Sequence, residues 1–285
     1  MESSAITTIF LPLALGIIML GLGLSLTLED FKRVVKFPKV ILIGLFCQMI
    51  ILPIACFLIA KGFGLPPELA VGLMLLAASP GGSTANLFSH LANGDVALNI
   101  SLTAFNSILS ILMLPLIVNF SLDYFMESGQ VVPLQFKKII EVFAIVLVPV
   151  GIGMVVNAKK PSISLKLEKP VKIISAVFLV LIIVSAIIKE KAHIVEYFQQ
   201  VGLPALLFNV LSLCVGYFIP RLLKIEKKQS IAIGMEIGIH NGTMAIFIAT
   251  TVLNNSVMSI PPAIYSLIMF FTAGIFGYIV SRKTA

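Results

Sequence analysis

The stretch Glu236-Ile237-Gly238-Ile239-His240-Asn241-Gly242-Thr243 decides how this chain is read. Glu236 is the only acid between Gln229 and Val280, in a run that is otherwise strongly apolar. A carboxylate at bilayer depth costs about 2.5–3.5 kcal/mol on insertion scales, and such residues serve ions, protons or substrates. The two glycines, histidine, asparagine and threonine that follow predict a break in a helix. An acid beside broken backbone at membrane depth points to a cation site and to cation-coupled transport.

Composition supports a membrane setting. Of 285 residues, 59% are hydrophobic and 12% charged, and the mean hydropathy is +1.08; soluble domains carry about 25% charge. No polar stretch is long enough for a separate soluble domain, so 1–285 reads as a single membrane transport domain. The net charge of +7 would suit nucleic acid, but the positive residues cluster in short loops between apolar runs and no zinc, RNA-binding or basic-helix motif occurs. The lipid bilayer, rather than nucleic acid, is the expected partner, and no motif calls for a partner protein. Cys47, Cys56 and Cys214 lie inside apolar runs without a CxxC pair, which predicts packing rather than disulfides. At the N-terminus Glu2 is the one charged side chain before Ile6, so no basic n-region precedes the uncharged run, which reaches Leu28, longer than a signal-peptide core, and reads as a first span.

Apolar runs of about 20 residues predict all-α architecture with nine transmembrane helices. They fall at 6–28, 39–60, 69–92, 95–120, 138–158, 171–188, 200–221, 229–253 and 260–281. The flanking charges give an independent check. With this count, fifteen Lys and Arg fall in one set of loops and five (Lys61, Lys137, Lys138, Lys189 and Lys191) in the other. The bias places the N-terminus outside and the C-terminus in the cytoplasm of a multi-pass plasma (inner) membrane protein. Eight or ten spans would scramble the partition.

A second break matches the first. The third span contains Ser79-Pro80-Gly81-Gly82-Ser83-Thr84-Ala85-Asn86. Proline lacks a donor and glycine weakens a helix by about 1 kcal/mol. Unwound backbone at membrane depth survives only when buried in protein or lining water. Each broken span is followed by one ordinary span before its half of the chain ends. The halves, divided near 123–135, then hold four and five spans. A five-span unit repeats with inverted topology, so the expectation is a ten-helix inverted-repeat fold lacking its first helix, with two discontinuous helices marking the transport site.

Hard cations take oxygen ligands. Ser83, Thr84 and Asn86 in the third span offer them, as do Asn99, Ser101, Thr103, Asn106 and Ser107 in the fourth, together with Gln48 in the second. Asn99 and Thr103 are four apart and share a helix face. Ser101, Asn106, Ser107, Asn209 and Ser212 read as interhelical glue. His240 is a neutral hydrogen-bonding group or a proton-relay partner of Glu236. His90 reads as an interfacial or packing residue, and His193 as a solvated one. Ser83, Thr84, Asn241, Gly242 and Thr243 lie just after the breaks, where half-helix N-termini attract anions, and an organic-anion substrate is expected to dock between them.

These motifs resemble the bile acid:sodium symporter family, and its bacterial members most. The resemblance covers nearly the whole chain: Leu20-Gly21-Leu22-Gly23-Leu24 before Glu29-Asp30-Phe31, Phe37-Pro38-Lys39-Val40, Gln48 ahead of Pro53, Pro80-Gly81-Gly82 with Asn86, Gly94 with Val96-Ala97-Leu98, and Glu236-Ile237-Gly238 with Asn241. It implies a core domain (39–120 and 200–281) whose two discontinuous helices cross, beside a panel domain (6–28 and 138–188). Transport would proceed by relative motion of the two. By position, one sodium site would use Asn86, Asn99, Thr103 and Glu236. A second would use Gln48 and Glu236, backbone carbonyls of Ile237 and Ile239, and His240. Asn99 stands where relatives often have serine, Ala85 replaces a serine, and His240 stands where many have glutamine. Met269-Phe270 stands where some relatives have polar residues facing the substrate.

The reading is a sodium-coupled symporter that imports an organic anion, bile-acid-like or a small carboxylate, by alternating access, with one or two Na⁺ as coupling ions and no cofactor. The alternative is a proton-coupled carrier using Glu236 and His240, with a channel or a related efflux carrier further off. An enzyme is not expected: an intramembrane protease needs paired acids, HExxH or a supported Ser–His pair, and none is present.

Overall fold

In a computed structural model, residues 10–82, 84–126, 136–189 and 192–282 are described. These residues are nearly all helical, and none of them forms a strand apart from one isolated bridge. The helices are α1 (Leu11–Ser25), α2 (Leu28–Lys36), α3 (Pro38–Phe46), α4 (Leu52–Gly62), α5 (Pro67–Ala78), α6 (Ala85–Leu91), α7 (Val96–Phe125), α8 (Phe136–Lys159), α9 (Pro161–Lys189), α10 (Ile194–Leu222), α11 (Lys227–Gly238), α12 (Gly242–Phe247) and α13 (Ile260–Ser281). Five segments are long and apolar enough to cross a membrane: Pro38–Gly62, Val96–Phe125, Val142–Lys159, Ile194–Leu222 and Val257–Ser281. Leu11–Ser25, Pro67–Ala78 and Gly242–Val252 are shorter apolar helices. Part of the expected first span lies outside the described residues, as does most of 123–135 and all of Ser83.

Local chemistry explains the boundaries. α3 runs into α4 through a wider π-helical turn, Cys47–Ile51. Pro53 has no N–H to close on Met49 and its ring crowds that carbonyl, so the chain opens the preceding turn. That turn carries Gln48. α5 stops because Ser79 precedes a proline and is extended (ψ 146°). α11 stops after Gly238, and α12 restarts with Asn241 as its cap, the Asn241 Oδ1 accepting from the Met244 N–H at 3.0 Å. α2 covers a charged run expected to be loop. Thr27 and Asp30 close a capping box at its start, with Thr27 N–H and Oγ1 donating to Asp30 Oδ2 at 2.8 and 2.7 Å. α9 starts well before the expected 171 and continues through Pro170.

α1 packs along α8 and α9. At the α1–α8 crossing the backbones nearly touch: a Cβ on Gly153 would sit 2.7 Å from the Gly23 carbonyl carbon. The segments α4–α5–break–α6–α7 and α10–α11–break–α12–α13 repeat one layout. Even the turns agree. Gly64 (φ 60°) and Lys224 (φ 63°) end the helix before each broken pair, and Asn93 (φ 58°) and Asn254 (φ 52°) follow each pair. Leu65 N–H reaches back to Ala60 O at 3.0 Å, and Ile225 N–H to Pro220 O at 2.9 Å, the same six-residue closure.

Candidate functional site

The two breaks meet. Gly81 and His240 form an antiparallel bridge. Gly82 N–H donates to Ile239 O at 2.7 Å, and Asn241 N–H donates to Pro80 O at 2.9 Å. Each break thus satisfies backbone groups that the other leaves unpaired, which is how unwound chain is tolerated away from water. Glycine at residue 81 leaves room for the Glu236 carboxylate, which a Cβ there would overlap and displace.

Glu236 lies in the last turn of α11 and is fully buried. Thr103 Oγ1 donates to its Oε2 at 2.5 Å, and Asn106 Nδ2 donates to its Oε1 at 2.9 Å. Thr103 and Asn106 are one turn apart on α7, so one helix face holds both carboxylate oxygens. Hydrogen bonds to a charged group contribute about 1.5–3 kcal/mol each. Desolvating an ion costs several kcal/mol even after relaxation. Two such bonds and a glycine leave the carboxylate short of compensation, and a cation or a proton would complete it.

Further oxygen atoms able to receive a cation are buried on α6, on α7 and in the turn between α3 and α4. Gln48 Oε1, Asn86 Oδ1, Asn99 Oδ1 and Asn106 Oδ1 are all buried without a hydrogen-bond partner. The amide ends of three of them are anchored: Asn106 Nδ2 on Glu236, Asn99 Nδ2 on Ala232 O of α11 at 2.7 Å, and Gln48 Nε2 on Ser79 O at 3.0 Å. Among the described residues no three His, Cys, Asp or Glu side chains cluster as a transition-metal site. One carboxylate among neutral oxygens suits a hard monovalent ion better.

The expected second cluster is assembled differently. His240 Nδ1 lies 3.5 Å from Gln48 Nε2 and 3.4 Å from Ser79 O, while its ring stacks on Phe208 and meets Tyr265 edge-on. Its Nε2 is buried and unpartnered. Glu236 and His240 therefore face different partners, Thr103 and Asn106 for one and Gln48 and Ser79 for the other. The Ile239 carbonyl already accepts the Gly82 N–H, and Ile237 is buried in the last turn of α11.

Beside the bridge lies a cavity of about 470 Å³. Thr84, Asn241, Gly242 and Thr243 form its floor with Gly82 and His240. Ile18, Gly21 and Ser25 of α1 and Ser175, Ala176 and Val180 of α9 form the facing wall. Asn86, Leu87 and His90 of α6 and Met269 and Phe270 of α13 line the rest of its length, with Val96 and Ile100 of α7. Four of the five expected anion-docking residues thus share one space. Two residues outside the expected set join the sites. Asn106, read as glue, contacts Glu236 directly, and its spacing from Thr103 was the available signal. His90, read as interfacial or packing, faces the cavity. Among the other residues read as glue, Asn209 links helices, its Nδ2 donating to Gly238 O at 2.8 Å. Ser101 and Ser107 do not: each hydroxyl donates to the carbonyl four residues back in its own helix. Ser212 donates to Phe208 O in its own helix and also meets Tyr265 of α13. The three cysteines are free thiols.

Known proteins are similar to this sequence over most of its length. A protein described as "Uncharacterized sodium-dependent transporter YocS" of Bacillus subtilis is 27% identical over 259 residues, covering 90% of this chain and 78% of its own. The ileal sodium/bile acid cotransporter of Oryctolagus cuniculus is 27% identical over 98% of this chain and 82% of its own. The "Probable sodium/metabolite cotransporter BASS1, chloroplastic" of Arabidopsis thaliana is 29% identical over 89% of this chain, which spans 62% of that longer protein. The family model of the sodium bile acid symporters matches residues 12–197, well over half of the chain. The chain belongs to the sodium bile acid symporter family, a family of multi-pass membrane transporters and not of enzymes.

Proposed function

We propose that this chain is a sodium-coupled secondary symporter importing an organic anion, bile-acid-like or a small carboxylate, by alternating access. One observation carries the reading: a fully buried carboxylate, Glu236, sits against the bridge between two broken helices, held among the described residues by two hydrogen bonds while the amide oxygens of Gln48, Asn86, Asn99 and Asn106 are buried without partners. The sodium named for its relatives agrees with that chemistry.

The first sodium would bind Glu236 with Thr103, Asn86 and Asn99, and Asn106 would orient the carboxylate. A second would use Gln48, Glu236, the carbonyls of Ile237 and Ile239, and His240. Filling these sites would hold the two breaks in the arrangement that exposes Thr84, Asn241, Gly242 and Thr243, with Ser83, to the substrate anion. The Asn241 Oδ1 is occupied by the α12 cap, which leaves its Nδ2 as the donor to that anion.

Nine membrane spans accommodate this reading, two of them composed of the broken pairs α5–α6 and α11–α12. The matched turns at Gly64 and Lys224, and at Asn93 and Asn254, support an inverted repeat. Panel (6–28 and 138–188) and core (39–120 and 200–281) would move relative to each other across the cavity, in a plasma membrane with the N-terminus outside and the C-terminus in the cytoplasm. In this reading the cavity, lined by Ser25 and His90 near the helix ends that precede Lys32 and Asp95, would open toward the cytoplasmic side.

The test is uptake of radiolabelled taurocholate and short carboxylates into proteoliposomes. Uptake driven by an inward sodium gradient supports the proposal. Uptake driven by a pH gradient and indifferent to sodium would favour the proton-coupled alternative, against which stands the lack of any hydrogen bond between Glu236 and His240.

A further inference from the structure

Outside the cation-binding oxygens, one group bears on what enters the cavity. Among the described side chains, no lysine, arginine, aspartate or glutamate lines it, and the ionisable ones are two histidines. His240 is 1% exposed and committed to Gln48, Ser79 and two aromatic rings. His90 is exposed in the last turn of α6, and among the described residues its ring has neither a hydrogen-bond nor an ion-pair partner. It shares a helix face with Asn86, four residues earlier, and both point into the cavity.

The spacing along α6 is informative. From Thr84 at the floor to His90 the helix rises about 9 Å. Besides Asn86, Ser25 and Ser175, the lining is largely apolar, with Leu87, Val96, Ile100, Met269 and Phe270. A cavity with donors at Thr84, a largely apolar wall and an imidazole about two turns along α6 complements a ligand with acidic groups at both ends and a hydrocarbon middle.

We propose that His90 is a substrate-reading residue that pairs with a second acidic group, so that the carrier prefers organic dianions with an apolar spacer over monoanions of equal length. This rests on the organic-anion reading of the cavity. An extended diacid of about eight carbons spans about 9 Å with C–C bonds of ~1.5 Å.

The experiment measures binding to the full chain in nanodiscs, in sodium, of straight-chain α,ω-diacids of increasing length and of the matching monoacids. The expected result is an affinity optimum near eight carbons for the diacids. In His90→Ala the diacid advantage should fall about tenfold to a hundredfold, the scale of a charge-assisted hydrogen bond, while monoacid binding stays unchanged. His90→Lys, which restores a donor on a longer stem, should recover the preference and move the optimum to shorter diacids. A variant that weakens monoacids and diacids alike, or a wild-type protein that binds no diacid better than its monoacid, overturns the proposal. Diacid binding that is indifferent to sodium would instead tell against the symport reading and leave the role of His90 standing.

Discussion

The break between α5 and α6 contributes mainly backbone, and the break between α11 and α12 contributes mainly side chains. Pro80, Gly81 and Gly82 supply a carbonyl, an N–H and an open space. Glu236, His240 and Asn241 supply the charge, the imidazole and the cap. Two positionally matched elements thus perform unlike tasks, and neither is complete alone: Glu236 needs the gap that Gly81 leaves, and the chain around Gly81 needs the carbonyl of Ile239. The site is asymmetric because one break carries the charge and the other leaves the room for it.

This division can be broken most sharply at Glu236. Glu236→Gln keeps the shape and removes the charge. Sodium-driven uptake should fall by about a hundredfold or more, the scale of stripping a buried ion of its partner. A normal melting curve in sodium-free buffer would show that the loss is not one of folding.

Gly81→Ala probes the space rather than the charge. Its Cβ would overlap the Glu236 carboxylate, so destabilisation of about 1–3 kcal/mol is expected, together with a large loss of sodium affinity. Gly82→Ala should do less, since its Cβ would sit 3.1 Å from the His240 carbonyl oxygen, a contact a small shift relieves. Equal effects from the two would remove the distinction drawn between them. Chemical denaturation paired with sodium titration separates the cases.

Thr103→Val removes one hydrogen bond to the carboxylate and keeps the volume. Apparent sodium affinity in uptake should drop by about tenfold, the worth of one bond to a charged acceptor. The smallest effect is expected away from the breaks. Ser164 Oγ donates to Leu24 O at 2.7 Å where α9 meets α1. Ser164→Ala should cost about 1 kcal/mol of stability and leave the sodium dependence of uptake unchanged.

Much of this was readable from residue types. Pro80-Gly81-Gly82 and Gly238 with Asn241-Gly242 announce breaks because they remove donors and helix stability whatever their surroundings. Glu236 announces itself by its cost. The partners were harder to read, because buried polar side chains on α7 look alike in sequence. Ser107 and Asn106 are neighbours, yet one bonds its own helix and the other holds the carboxylate. That difference is one of azimuth, which the position of α11 decides. His90 was hidden by its place near a helix end, where exposure to lipid headgroups and exposure to an internal cavity have the same sequence signature. α2 was hidden by its charges, although Thr27 and Asp30 carried the capping signal three residues apart.

Sodium dependence of stability in the purified protein tests the central claim most directly. A ligand at a hundredfold its dissociation constant stabilises by about 2.7 kcal/mol. The account predicts a saturable rise in Tm when NaCl replaces KCl at constant ionic strength, and its absence in Glu236→Gln. Identical melting of the wild-type chain in the two salts would contradict it.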